Sequence, residues 1–436
     1  MKKELYKQYA KLIVRVGVNL QKGQGAVVNA PLSQQKLVHQ VVKECYKAGA
    51  AWVQMEWEDQ KVQKLAILNE KPEMLGKVWK WQEEKMKSYV EELPARIYII
   101  SDDPEGLLGI DQMKLQQAQV ARHKILKKYR DAMETHYQWV IAAGASKEWA
   151  VKVFPDEKPK DAVEHLWAEI LKTVHLTEDN DPVKVWKKRG TYFEEKCRKL
   201  NDCHLKELHY ESSNGTDLTV GMIPGAEWHG GGDTTPLSAP ALPWERKDDK
   251  KKAASGKAAK AGYGGVLYIP NLPTEEVFIS PKAGKADGRV VATRPLSFRG
   301  ELIENFSLTF ADGKVVSCEA KKGEDALKAL ISADEGSAML GETALVPKES
   351  PVGASGLFFY STLFDENACC HLALGSGFPE VLKGFEKMTP DDWKKNGINA
   401  SSLHTDFMIG SDDMKITGIT KDGKKIVIFE NGTWAV

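Results

Sequence analysis

The strongest constraint on the fold is the alternation of short apolar runs with helical stretches in the first half of the chain. Residues 96–101 form a nearly continuous apolar run, which is typical of a strand buried in a parallel sheet. Residues 6–18 and 37–46 carry apolar side chains at helical spacing, whereas residues 51–57 alternate like a half-buried strand. Strands separated by helices predict a covered α/β sheet that extends to about Gly190.

The second half has a different pattern. Residues 207–220 and 290–316 predict strands joined by tight turns, of which Asn214-Gly215 is one. This pattern indicates an α+β fold rich in antiparallel sheet. For a chain of 436 residues we therefore expect two domains, an N-terminal α/β domain over 1–190 and a C-terminal domain over 191–436 that carries the chemistry.

Composition excludes several classes of function. Lys and Arg total 61, as do Asp and Glu, so the net charge is zero and no basic field favours nucleic acid. The longest apolar runs fall far short of the roughly 20 residues that a membrane helix needs. The start of the chain lacks the apolar stretch of a secretory signal, and the six cysteines show no CxxC spacing. We expect a cytoplasmic protein with reduced thiols and no membrane or nucleic-acid partner.

One segment fits neither predicted domain. Lys247–Lys260 is rich in lysine, offers little apolar surface and follows a Gly/Pro-rich run that begins at Gly230. An exposed surface loop is the favoured interpretation, and a basic segment that binds nucleic acid is the less favoured one.

Common catalytic signatures are missing from the sequence. It contains no Walker loop, GxSxG elbow, HExxH motif or Rossmann fingerprint at the first strand-to-helix turn. Candidate ligands lie instead in the second half. Glu275 and Glu276 follow a proline turn, and His404 and Asp406 are two residues apart, which in a strand places both side chains on one face.

Further carboxylates and one histidine extend this candidate set. Glu342 follows a glycine, Glu366 precedes an asparagine, and His371 opens an apolar run that ends at Gly375. Several carboxylates with a minority of histidines are the ligand mix expected for hard or borderline divalent metals. Solvated ion pairs and a satisfied core histidine remain the alternative.

These segments resemble the M29 family of metallo-aminopeptidases. The resemblance rests on four segments and on weaker matches along nearly the whole chain. The four segments are 271–278, 341–342, 366–375 and 404–408.

The resemblance implies a centre of two divalent ions, which could be Zn, Co, Mn or Mg. It implies three Glu, two His and one Asp as ligands. Carried over, they are Glu276, Glu342, Glu366, His371, His404 and Asp406. Glu342 would bridge the ions, and Glu275, unless it replaces Glu276 as ligand, would carry a proton to the leaving amine.

The implied activity is removal of the N-terminal residue from short peptides by a homodimeric enzyme. Two departures from the family pattern bear on it. Phe378 stands where the family usually has a tyrosine, and the stretch from Gly230 to Lys260 is longer than usual. Two alternatives stay open. One is a mononuclear metal enzyme of other chemistry, and the other, which Phe378 supports, is a metal-binding interaction protein with weakened catalysis.

Overall fold

The computed structural model describes residues 2–133, 135–237, 263–298 and 301–436. The predicted basic loop Lys247–Lys260 lies outside the described residues. The chain divides into two compact units. The first unit comprises Met1–Trp186 and Gly232–Leu272, and the second comprises Lys187–Gly231 and Pro273–Val436.

Helices of the described ranges concentrate in the first half of the chain. They are α1 (Lys3–Leu12), α2 (Gln35–Ala48), α3 (Gln60–Asn69), α4 (Pro72–Leu75), α5 (Lys80–Glu92), α6 (Gln112–Met133), α7 (Lys147–Val153), α8 (Pro159–Thr173), α9 (Pro182–Asp202), α10 (Glu324–Ile331), α11 (Pro351–Ser355), α12 (Thr362–Asp365) and α13 (Pro390–Lys395). None of these helices combines the length and apolar character needed to cross a bilayer.

Strands occur in both halves and are most frequent after residue 204. They are β1 (Gly25–Pro31), β2 (Trp52–Glu58), β3 (Ala95–Ile100), β4 (Trp139–Ala143), β5 (Leu205–Ser212), β6 (Thr216–Met222), β7 (His229–Gly230), β8 (Asp233–Thr234), β9 (Leu267–Tyr268), β10 (Asn271–Leu272), β11 (Val277–Ile279), β12 (Pro281–Val291), β13 (Leu296–Phe298), β14 (Glu301–Ala311), β15 (Lys314–Lys322), β16 (Leu340–Leu345), β17 (His371–Gly375), β18 (His404–Met408), β19 (Lys415–Thr420), β20 (Lys425–Glu430) and β21 (Thr433–Trp434).

The first unit contains a parallel sheet with the strand order β10-β4-β3-β1-β2. The apolar run of residues 96–101 lies mostly in β3, which pairs in parallel with β1 and β4. Helix α2 ends at Gly49, whose φ of 97° is a left-handed conformation that glycine adopts without strain. Pairing of β10 with β4 places the returning segment Gly232–Leu272 in this unit.

The second unit contains two antiparallel sheets. The larger has the order β13-β14-β12-β6-β5-β19-β20-β21, with β15 paired to β14. Its β5–β6 hairpin turns at Gly215, as the sequence predicts, and Gly215 has a φ of 99°. The smaller sheet, which we name the site sheet, has the order β18-β17-β16-β11-β7. The predicted combination of α/β and antiparallel-rich α+β architecture is thus confirmed.

Candidate metal centre

The site sheet gathers the candidate ligands on one face. Ala373 pairs with Glu342 on one side and with Asp406 on the other, so these three side chains project in the same direction. His371 lies two residues before Ala373, and His404 lies two residues before Asp406. Both histidines therefore share that face.

The opposite face of the site sheet supplies the core. Leu372 and Phe407 alternate with the ligand positions, and both are buried in the apolar core of the second unit. Thr343 projects to this face too, where its hydroxyl contacts the buried Tyr210 hydroxyl. The sheet is thus held by apolar packing on one face, which leaves the other face for chemistry.

Interatomic distances show how closely the ligands approach. His371 Nε2 lies 3.1 Å from Glu276 Oε2, and His404 Nε2 lies 3.1 Å from Glu342 Oε2. His404 Nε2 is also 3.2 Å from Asp406 Oδ1. The ligand atoms form two groups, each within 4.8 Å, made of Glu276, Glu342 and His371 and of Glu342, His404 and Asp406. Glu342 belongs to both.

Small residues keep the space between these ligands open. Ala344 and Ala373 lie on the face of the site sheet that carries Glu342, His371, His404 and Asp406, which we call the ligand face. Both alanines are fully buried. The register shifts at Gly341, where a Cβ atom would come within 2.2 Å of the Ser376 carbonyl oxygen. The bulge therefore needs a glycine, and it sets the direction of Glu342.

Backbone carbonyls fix which nitrogen of each imidazole faces the ligands. His404 Nδ1 lies 2.7 Å from the Ser376 carbonyl oxygen, and His371 Nδ1 lies 3.3 Å from that of Cys369. Because a carbonyl oxygen only accepts, each neutral ring carries its proton on Nδ1. The lone pair is then on Nε2, the atom turned towards the carboxylates.

The cluster attracts positive charge. Burial and the negative charges of Glu276 and Asp406 raise the pKa of Glu342 to about 7. Burial opposes protonation of His404, but the Asp406 and Glu342 carboxylates outweigh it and raise the pKa of His404 to about 12. Buried carboxylates that stabilise positive charge on two imidazoles fit a divalent metal ion, which would take the place of the Nε2 protons.

Comparison with known proteins agrees with this chemistry. The pattern of the family described as "Thermophilic metalloprotease (M29)" matches residues 2–244 and 251–434. The chain belongs to the M29 family. The resemblance stated from the sequence motifs is thereby confirmed.

Relatives of the M29 chain match over nearly their full length. Aminopeptidase AmpS of Bacillus subtilis is 40% identical over 98% of this chain and 97% of its own. Aminopeptidase PepS of Streptococcus thermophilus is 36% identical over 100% of this chain and 98% of its own. The solved structure of wild-type AmpT from Thermus thermophilus has a TM-score of 0.85 and 34% identity, and covers 100% of this chain and 99% of that one.

Glu366 lies beside the two ligand groups of the M29 chain. It follows α12 and is partly buried, and the groups found among the described residues do not include it. Burial and the charges of Asp406 and Glu276 raise the pKa of Glu366 well above its usual value. Its carboxylate therefore lies in the field of the same cluster.

Glu275 has a different environment from Glu276. It is only 6% exposed, and its Oε2 accepts a hydrogen bond of 2.6 Å from the Arg189 guanidinium on α9. Its backbone N–H donates to Asn367 Oδ1 at 2.6 Å. The sequence interpretation missed both partners. Asn367 was detectable as the polar residue next to Glu366, whereas nothing in the sequence around Arg189 indicates its role.

Phe378 lies against a candidate ligand. Its ring centroid is 4.9 Å from that of His404 and 5.3 Å from that of Phe278. The Phe378 backbone N–H donates to Ser280 Oγ at 2.7 Å. An aromatic side chain at this position therefore borders the ligand cluster beside His404.

Asp334 anchors the segment that precedes His404. Its carboxylate accepts hydrogen bonds from the Ser402 N–H and hydroxyl, from the Ser401 hydroxyl and from the Ser337 N–H. Partial burial opposes ionisation, but these bonds, those of Ser402 first, lower the pKa of Asp334 to about 2. The anchor therefore favours the ionised carboxylate.

We expect Asp334→Asn to lower the free energy of unfolding by about 1 kcal/mol at pH 7, since the group is partly exposed. The pKa of Asp334 is lower in the folded protein than in the unfolded chain, where it is about 4. The ionised carboxylate therefore stabilises the fold fully above pH 4, and this stabilisation is lost as the pH falls towards 2. Urea unfolding should therefore show the difference from wild type shrinking between pH 4 and pH 2. Asp412→Asn, at a side chain 97% exposed, is the control. A difference that does not change with pH would contradict this account.

Proposed function

We propose that this M29 chain is an aminopeptidase that removes the N-terminal residue of short peptides with a centre of two divalent ions. The observation that carries the proposal is the pair of three-residue ligand groups that share Glu342. The relatives AmpS and PepS, both named aminopeptidases, support the reaction class.

The residues that would hold the ions are those on the ligand face of the site sheet and its neighbours. They are Glu276, Glu342, Glu366, His371, His404 and Asp406. Glu342 would contact both ions, because it belongs to both groups. Zn, Co, Mn and Mg each accept such a mixture of carboxylate and imidazole ligands.

Bound ions would polarise the scissile carbonyl and activate a water molecule. The protein would contribute orientation and charge. Ser376 and Cys369 hold the two imidazoles in one tautomer, and the four carboxylates would balance the charge of two divalent ions. Glu275 would carry a proton to the leaving amine.

We further infer a cytoplasmic homodimer. On α3, Val62, Leu65 and Leu68 lie one turn apart and are 61%, 59% and 52% exposed. Such an apolar stripe supports contact with a second copy of the chain. The six cysteines are free thiols, which supports a reducing compartment. The predicted C-terminal domain over residues 191–436, apart from Gly232–Leu272 in the first unit, would carry the catalysis.

Release of a coloured arylamine from amino-acid arylamides tests this function. Protein stripped with chelator and then reconstituted with each divalent metal should recover activity, with metal analysis giving two ions per chain. One ion per chain would favour a mononuclear enzyme of other chemistry. Two ions without turnover would favour the alternative that Phe378 supports, a metal-binding interaction protein with weakened catalysis.

We expect Phe378→Tyr to raise kcat about tenfold with KM nearly unchanged. A hydroxyl here could donate to the developing oxyanion, and a buried donor of this kind is typically worth about 10²–10³ in kcat. The partly exposed ring argues for a smaller gain. Because the Phe378 N–H is anchored on Ser280, the backbone should stay in place. Phe278→Tyr, on the neighbouring ring, is the control. Unchanged kcat in an active enzyme would contradict a missing donor.

A further inference from the structure

Asn367 joins two segments that bear candidate ligands. The segment before β11 carries Glu275 and Glu276, whereas Asn367 follows Glu366 directly after α12. Asn367 Oδ1 accepts the hydrogen bond from the Glu275 N–H at 2.6 Å. Asn367 Nδ2 lies 3.5 Å from Glu366 Oε1 and donates to the Leu363 carbonyl at 3.0 Å.

This amide is buried and held from several directions. Asn367 is fully buried, and its own carbonyl oxygen accepts a hydrogen bond from the Ser350 hydroxyl at 2.8 Å. A buried amide with both ends bonded fixes one arrangement of its neighbours, because any other arrangement leaves a polar group unpaired. Arg189 separately holds the Glu275 carboxylate.

Glu276 follows Glu275 directly, so the hydrogen bond that fixes the Glu275 backbone also fixes the point from which the Glu276 side chain projects. When Arg189 and Asn367 hold Glu275, the Glu276 carboxylate is turned towards His371 Nε2, 3.1 Å away. The same Asn367 side chain restrains the Glu366 carboxylate. We propose that Asn367 is a positioning residue that fixes Glu276 and Glu366 together for one of the two metal ions.

This inference rests on the proposed two-ion function, so its test measures metal binding rather than turnover. Calorimetric titration of metal-free protein with Mn²⁺ should show two equivalents in the wild type. In Asn367→Ala we expect one equivalent to weaken by about tenfold or more, as a misdirected outer partner typically costs 10–100-fold. The other equivalent, held by Glu342, His404 and Asp406, should change little.

Gln24→Ala is the matched control. Gln24 is buried in the first unit and also uses both ends of its amide, accepting from the Gln21 N–H and donating to the Leu93 carbonyl. It should bind both equivalents like the wild type. Equal weakening in Gln24→Ala, or wild-type affinity in Asn367→Ala, would overturn the inference.

Two further outcomes are distinguishable. A wild type that takes up no more than one ion would contradict the proposed function itself. Two ions bound with the same pair of affinities in the wild type and in Asn367→Ala would overturn only this inference. Asn367→Ser keeps a polar group but is too short to span both partners. It replaces the alanine variant if circular dichroism shows that Asn367→Ala does not fold, and the same unequal weakening is expected.

Discussion

Replacing Glu342 with glutamine should lower kcat/KM by about 10³-fold or more and reduce the bound metal below two ions per chain. Glutamine keeps the shape of the side chain but removes the negative charge that belongs to both ligand groups. Losing several kcal/mol of charge stabilisation at both ions corresponds to about three powers of ten in rate. Arylamide turnover and metal analysis of the same sample measure both effects.

Glu44→Gln controls for the loss of a mostly buried carboxylate. Its side chain is 12% exposed and pairs with Arg15 at 3.0 Å in the first unit. That variant should keep both ions and normal turnover, with only a modest loss of stability. Two ions with wild-type turnover in Glu342→Gln would remove Glu342 from the metal centre.

Local periodicity predicted much of the fold. The apolar run at residues 96–101 lies mostly in the parallel strand β3, and the turn at Asn214-Gly215 lies in an antiparallel hairpin, because both depend on residues close in sequence. The two-residue spacing of His404 and Asp406 predicted a common face, and β18 has them so. Within one strand, spacing alone determines direction.

Contacts between distant segments could not be predicted in this way. Arg189 meets Glu275 across 86 positions, and Glu342 meets His404 across 62. Both contacts depend on which strands and helices become neighbours, and hydrophobic alternation does not specify the strand order of the site sheet. The sequence does not predict the bulge at Gly341 either, because a lone glycine in a strand can mark a bulge, a bend or a close approach of another backbone.

Changing Glu275 and Glu276 to glutamine, one at a time, should have different effects on metal binding and on kcat. Glu276 faces His371 Nε2 at 3.1 Å, so Glu276→Gln should weaken metal binding. Glu275 faces Arg189, so Glu275→Gln should keep both ions while kcat falls about 10²–10⁴-fold, the usual contribution of general acid–base catalysis. KM should change little, because a proton carrier acts in the transition state. Metal analysis and steady-state kinetics of both variants test this assignment.

The Arg189 contact gives Glu275→Gln a second effect, which must be separated from the first. Neutral glutamine removes the charge that Glu275 places against the Arg189 guanidinium, which is 17% exposed, so the melting temperature should fall as well. Glu44→Gln removes the comparable partner of Arg15 and reports how far such a loss acts through stability alone. If Glu275→Gln loses metal while Glu276→Gln keeps it, the two glutamates exchange roles. If Glu275→Gln is only as impaired as Glu44→Gln, Glu275 holds Arg189 and moves no proton.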